Sequence, residues 1–181
     1  MRGTVATDTE DVLHAMIARD RQKVLHMGLA AFGNAADAED MAQDVLIRIW
    51  QRMEQGHTID DTPTTWVMRV TINVIRDKMR TPWHRRVTVD AKAGDSLSVP
   101  SREDQVLEGQ APALLAAVRQ LPANQRDIVL LFYVADQSLH TISETLGVRD
   151  STVKTRLHRA RRRLARILES ERRTTDGSRS R

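Results

Sequence analysis

Cysteine is absent from all 181 residues, which excludes disulfide staples and thiolate metal sites. A chain without disulfides fits a reducing compartment, so the expected location is cytoplasmic. Aromatics are scarce: three Trp, one Tyr and two Phe leave the core to Leu, Ile, Val, Met and Ala. Eight Gly and five Pro suit helices better than short strands with many turns. No apolar run approaches the roughly 20 residues that cross a bilayer, and the opening MRGTVATDTEDVLHAM lacks an apolar leader core, so no membrane partner is expected. There is no glycine-rich phosphate loop, no GxSxG and no HExxH. The histidines His14, His26, His57, His84, His140 and His158 are scattered. Nothing converges on a catalytic site, a metal or a cofactor, and no enzyme is expected.

Positive charge is present, but only in one place. Lys and Arg against Asp and Glu number 12 against 13 in residues 1–90, 3 against 4 in 91–119, and 13 against 7 in 120–181. A basic excess confined to the last third points to a polyanionic partner for that third.

Apolar spacing predicts helices throughout. Val12, Leu13, Met16, Ile17, Val24, Leu25 and Leu29 mark one over 9–32, closed by Gly33 and Asn34. Met41, Val45, Ile49, Trp50 and Met53 mark a second over 36–53. Trp66, Val67, Val70, Val74, Ile75 and Met79 mark a third over 64–80, ended by Pro82. Trp50 and Trp66 are assigned to the core, while Trp83 either stacks on a nucleic acid or caps the domain. The segment EQGHTIDDTP between the second and third helices is loop-like and closes at Pro63. Residues 89–102, rich in Ser, Asp, Ala and Gly, read as a linker. Helical material follows over 103–120, interrupted near Gly109 and Pro112, then over 124–134, 138–146 and 151–170. Residues 171–181 lack apolar anchors and read as an unstructured tail. The expected fold is all-α, with domains at 9–88 and 103–170.

The stretch STVKTRLHRARRRLARI, Ser151 to Ile167, holds seven basic residues in seventeen positions. Val153, Leu157, Ala160, Leu164 and Ile167 recur at steps of four and three, so the stretch is a docked helix rather than a charged tail. Ser143 stands four residues before Gly147, and Val153 six after it. That is helix-turn-helix spacing: a small residue for close approach, a glycine for positive φ at the turn, and an apolar residue to pack the second helix. Asp150 or Ser151 is placed to cap that helix. Its first turns then enter the major groove, which makes Ser151, Thr152, Lys154, Thr155, His158 and Arg159 the groove candidates. Arg156, Arg161, Arg162 and Arg163 are assigned to phosphates. In the first domain, acids gather at Asp37, Glu39 and Asp40, where a helix N-terminus favours them, and Asp44 lies farther in on the polar face it shares with Asp40. Arg69, Asn73, Arg76, Asp77 and Arg80 share one polar stripe of the third helix.

DAEDMAQDVLIRIWQRM, TTWVMRVTINVIRDKMR and the long run from LPANQRDIVLL to TVKTRLHRARRRL, taken together and in that order, resemble extracytoplasmic-function sigma factors of the sigma-70 family. The likeness covers nearly the whole chain, as that family's regions 2 and 4 joined by a linker. It implies that Asp40, Gln43 and Asp44 dock on the clamp helices of the largest subunit of core RNA polymerase. It implies that Arg69, Asn73, Arg76 and Arg80 meet the minus-10 strand of promoter DNA, with the loop Gly56–Thr62 holding a flipped base. It also gives Lys154, Thr155, His158 and Arg159 the minus-35 element, with Ser151 and Thr152 beside them as groove candidates from the helix-turn-helix geometry. Members of this group are commonly held by an anti-sigma factor, which joins the expected partners. The alternative is a helix-turn-helix regulator whose N-terminal domain is only a protein-interaction module.

Overall fold

In the computed structural model, residues 4–55, 63–80 and 111–178 are described. They form seven α-helices and one π-helical turn: α1 (Thr4–Phe32), α2 (Ala35–Glu54), α3 (Pro63–Arg80), α4 (Ala111–Arg119), α5 (Ala123–Val129), the π turn Leu130–Val134, α6 (Leu139–Leu146) and α7 (Asp150–Ser178). No strand occurs among the described residues, so the expected all-α class holds. The linker 89–102, the loop Gly56–Thr62, Pro82, Trp83 and Gly109 lie outside them.

The first unit is a three-helix packing of α1, α2 and α3. Gly33, at φ +83°, turns the chain between α1 and α2, a conformation that costs other residues strain. Asn34 then caps α2. Its Oδ1 accepts from the Asp37 amide at 2.8 Å and its own amide donates to the Asp37 carboxylate at 2.7 Å. Asp37 is thus a capping residue. Met27, Met41, Val45, Met68, Ile72, Val74 and Ile75 fill the centre and are almost wholly buried. α3 begins at Pro63 itself, a residue suited to the first helical position.

The second unit is built from α4 to α7. Pro112 sits in the first turn of α4, where a missing N–H costs nothing, so it causes no interruption within that helix. Buried Arg126 donates to the carbonyls of Arg119 and Leu121, which ties α5 to the bend it follows. The helix expected over 124–134 does not stay α-helical: Ala135 N–H reaches back to the Leu130 carbonyl, five residues earlier, at 2.9 Å. The widened turn buries Leu130 and Leu131 and leaves Tyr133 exposed.

Three other boundaries differ from expectation. α1 starts at Thr4, before its apolar repeat begins. α7 continues to Ser178 instead of ending near 170, because each added residue of a long helix gains a hydrogen bond without a new nucleus. Trp50 is 51% exposed rather than in the core. It follows Ile49 directly, and one residue rotates a helix by about 100°, off the stripe of Met41, Val45 and Ile49.

The two units pack on each other. α1 lies against the π turn and α4, and α3 lies against α6. Their apolar residues join in one buried cluster that extends from Val24 to Leu164.

Candidate nucleic-acid interface

The helix-turn-helix is formed as its spacing requires. Ser138 caps α6 by accepting from the Thr141 amide at 3.1 Å. Gly147 ends α6 in the left-handed region at φ 64°, and its amide and that of Val148 return to the carbonyls of Glu144 and Ser143. Ser143 is buried, its hydroxyl donating to the His140 carbonyl at 2.7 Å, and Val153 is fully buried opposite. α7 starts one residue earlier than the expected caps allow. Arg149 supplies the carbonyl for Thr152 and Val153, so Asp150 lies in the first turn instead, as a carboxylate facing the helix dipole. The Ser143 hydroxyl, with His140 and Lys154, holds the Asp150 carboxyl below the usual range.

Along α7 the stripe Val153, Leu157, Ala160 and Leu164 is buried, so the intervening residues face outward. Ser151, Lys154, Thr155, His158 and Arg159 are exposed, and Thr152 is half-buried. The Thr155 hydroxyl donates to the Ser151 carbonyl at 2.8 Å. Asn124 and Gln125, at the start of α5, line a surface groove with Ser151, Thr152, Thr155, Arg156 and Arg159. Sequence reading did not pick out these two; their only signal was a place in the LPANQR run. Of the phosphate candidates, Arg162 and Arg163 are exposed and Arg156 is half-buried. Arg161 has a protein partner: its Nε donates to the Tyr133 hydroxyl at 2.7 Å and its guanidinium lies over Phe132 and Tyr133.

On α2, Asp40 and Gln43 are exposed and Asp44 is half-exposed. Lys78 of α3 clasps both acids, bonding to Asp40 and reaching Asp44 at 2.8 Å. Burial lowers the Lys78 pKa, but the two carboxylates outweigh it and the net shift is upward, so the ammonium stays charged through neutral pH. A second pair, Arg48 to Asp77 at 2.9 Å, also ties α2 to α3. Exposed Ile47 and Trp50 follow Gln43 at four and seven residues and so extend its face with apolar surface. Trp50 was missed because it was read as a member of the apolar repeat, and Ile47 because it falls outside that repeat and carried no other mark.

The stripe on α3 is divided. Asn73 and Arg80 are exposed, with Arg80 4.0 Å from Asp77. Arg69 and Arg76 are engaged by the second unit. Arg69 donates from Nε to the Thr145 carbonyl at 2.9 Å and from Nη2 to the Glu144 carbonyl at 2.6 Å. Arg76 donates from Nε and Nη2 to one carboxylate oxygen of Asp127, at 2.9 and 2.7 Å. The Asp127 side chain is only 1% exposed against 34% for Arg76. Burial pushes its carboxyl above the usual range, and Arg76, Arg126 and Arg156 pull it part of the way back. Nothing in the sequence marked Asp127, which closes the polar stretch Asn124–Asp127 just before the apolar run that follows. Among the described residues, no three His, Asp or Glu side chains gather as a metal site, and no helix is long and apolar enough to cross a membrane.

Comparison with known proteins matches residues 16–85 to the sigma-70 region 2 model and residues 112–164 to the sigma-70 region 4 model. The chain is 32% identical over 144 residues to the probable RNA polymerase sigma factor RfaY of Xanthomonas campestris pv. campestris, spanning 76% of this chain and 36% of that protein. It is 34% identical over 143 residues to the ECF RNA polymerase sigma factor SigL of Mycobacterium tuberculosis, spanning 76% of this chain and 77% of the other. The fold is shared with CnrH, solved in complex with the cytosolic domain of CnrY. The TM-score is 0.65 at 17% identity, covering 92% of this chain and 96% of that one. A region 2 match across the first unit removes the footing for reading that unit as a mere interaction module.

Proposed function

Because the chain belongs to the extracytoplasmic-function sigma factors of the sigma-70 family, we propose that it binds core RNA polymerase and directs it to promoters by gripping two DNA elements, one with each unit. The observation that carries this reading is the exposed first turns of α7, presented by a helix-turn-helix whose Gly147 adopts the left-handed turn. Lys154, His158 and Arg159, with Ser151, Thr152 and Thr155, read the minus-35 element. Arg156, Arg162 and Arg163 neutralise phosphates on either side. Asn73, flanked by Arg69, Arg76 and Arg80, meets the minus-10 strand. Asp40, Gln43 and Asp44 dock on the clamp helices of the largest polymerase subunit, and the exposed Ile47 and Trp50 add apolar area to that face. The protein acts by binding and positioning, in the cytoplasm, with no catalysis of its own, and an anti-sigma factor is a further expected partner.

Reconstitution tests the reading as a whole. Purified chain added to core polymerase is expected to start discrete transcripts from a subset of promoters. A failure to raise any specific start above that of core enzyme alone refutes it.

A further inference from the structure

We propose that the cleft between α1 and α2 is a binding site for a small organic monocation, a primary amine or amidine with one apolar body, whose charged end pairs with Asp20.

The cleft encloses about 230 Å3, and its walls are Val24, Leu25, Val45, Leu46, Ile49 and Val67. That is room for a body the size of one aromatic ring, with hydrocarbon contact around it. Asp20 lines the same cleft, its side chain only 2% exposed. Every donor it has falls on one oxygen. Arg19 gives Nε at 3.1 Å and Nη2 at 2.7 Å, and the Thr64 hydroxyl lies at 3.5 Å, all on Oδ2. Oδ1 is buried and, among the described residues, accepts no hydrogen bond.

An acid needed only to hold Arg19 has no reason to be buried. Arg19 is half exposed, and the same pair at the surface would escape the cost of desolvating the carboxylate. Burial instead leaves the hydrogen bonds of one oxygen unmade, which is the costly state for a polar atom. An ammonium or amidinium group brings the N–H donors that Oδ1 lacks, and its apolar body suits the walls. A metal ion does not suit the place, since it asks for about six oxygen donors and these walls are hydrocarbon. Arg21 and Glu39, both exposed at the rim, offset each other and call for no second charge on the ligand. Gln43 lines the cleft as well, and it belongs to the face assigned to polymerase, so an occupied cleft weakens that docking. This consequence rests on the functional reading above; the site itself does not.

The test uses the full chain, with benzamidine as the probe and benzamide as its neutral counterpart of the same shape. Benzamidine is expected to shift the methyl resonances of Val24, Val45 and Val67, and benzamide to bind about tenfold more weakly. Asp20→Asn is expected to lose about tenfold of the benzamidine affinity. Leu25→Trp, which fills the cleft from a half-buried position, is expected to abolish binding and supplies the answer even if Asp20→Asn does not fold. No shift, shifts confined to other residues, equal binding of benzamide, or full affinity in either variant overturns the site. Core polymerase affinity, measured with and without saturating benzamidine, is expected to fall about fivefold. No change overturns the competition with polymerase, while the methyl shifts still decide the site. Absence of polymerase binding without the probe refutes the docking assignment instead, and again the methyl shifts decide the site.

Discussion

α3 and α7 each carry a line of arginines beside an apolar stripe, yet the two lines sit in opposite circumstances. On α7, Arg159, Arg162 and Arg163 face solvent, because the buried stripe of Val153, Leu157, Ala160 and Leu164 docks the other side of the helix. On α3, Arg69 and Arg76 are held by acceptors from a different part of the chain. The difference teaches that a basic helical face is not by itself an available one. Availability depends on what the rest of the fold brings against it, and charge pattern alone does not report that.

The largest expected effect comes from removing the support that separates the two faces. Ile142 is fully buried between α6 and its neighbours. Ile142→Ala should cost about 2–5 kcal/mol of stability, read by chemical denaturation, and should weaken DNA binding by α7 along with the α6 contacts to α3. If α7 keeps its full DNA affinity, the two faces are more independent than their packing indicates. Next in size is Arg159→Ala, expected to lose about 1–3 kcal/mol of minus-35 affinity with relaxed sequence preference; an equal loss on all sequences makes it a phosphate contact. Gly147→Ala follows at about 1–2 kcal/mol of stability, since a Cβ there meets nothing within 4 Å and only the left-handed backbone is strained.

Two further changes sharpen the comparison. Asn73→Ala is expected to impair strand opening more than closed-complex binding. A permanganate footprint equal to that of the parent would remove Asn73 from the minus-10 contact. The smallest effect separates neighbouring arginines. Arg162→Ala should reduce the salt dependence of DNA binding by about one unit of slope, while Arg161→Ala, whose guanidinium already serves Tyr133, should change it less. Equal slopes would mean that Arg161 leaves Tyr133 when DNA arrives.

Much of this was readable from local pattern. The stripes of α2, α3 and α7 and the turn at Gly147 are properties of residues close to one another along the chain, and helical geometry converts such spacing directly into faces. The exposed groove residues of α7 followed from the same arithmetic. The pairing of Arg76 with Asp127 did not, because 51 residues separate them and neither carries a mark of its partner. Asp127 follows Asn124, Gln125 and Arg126, so it reads as one more polar residue at a helix start and its burial has no periodic signature. Trp50 failed for a different reason: one residue beyond Ile49 is enough to leave the buried stripe. The π turn is equally silent, since its five residues, LLFYV, suit an ordinary helix as well.

The two halves of the α3 contact differ in how sequence variation acts on them. Arg69 is received by main-chain oxygens, which every residue at positions 144 and 145 would supply, so no side-chain change in α6 deletes that acceptor. Arg76 is received by a side chain, and a single substitution at Asp127 removes it. One half is therefore written into the backbone and the other into a single codon. Drift at that codon adjusts how firmly the units hold each other while the backbone half continues to set where they meet.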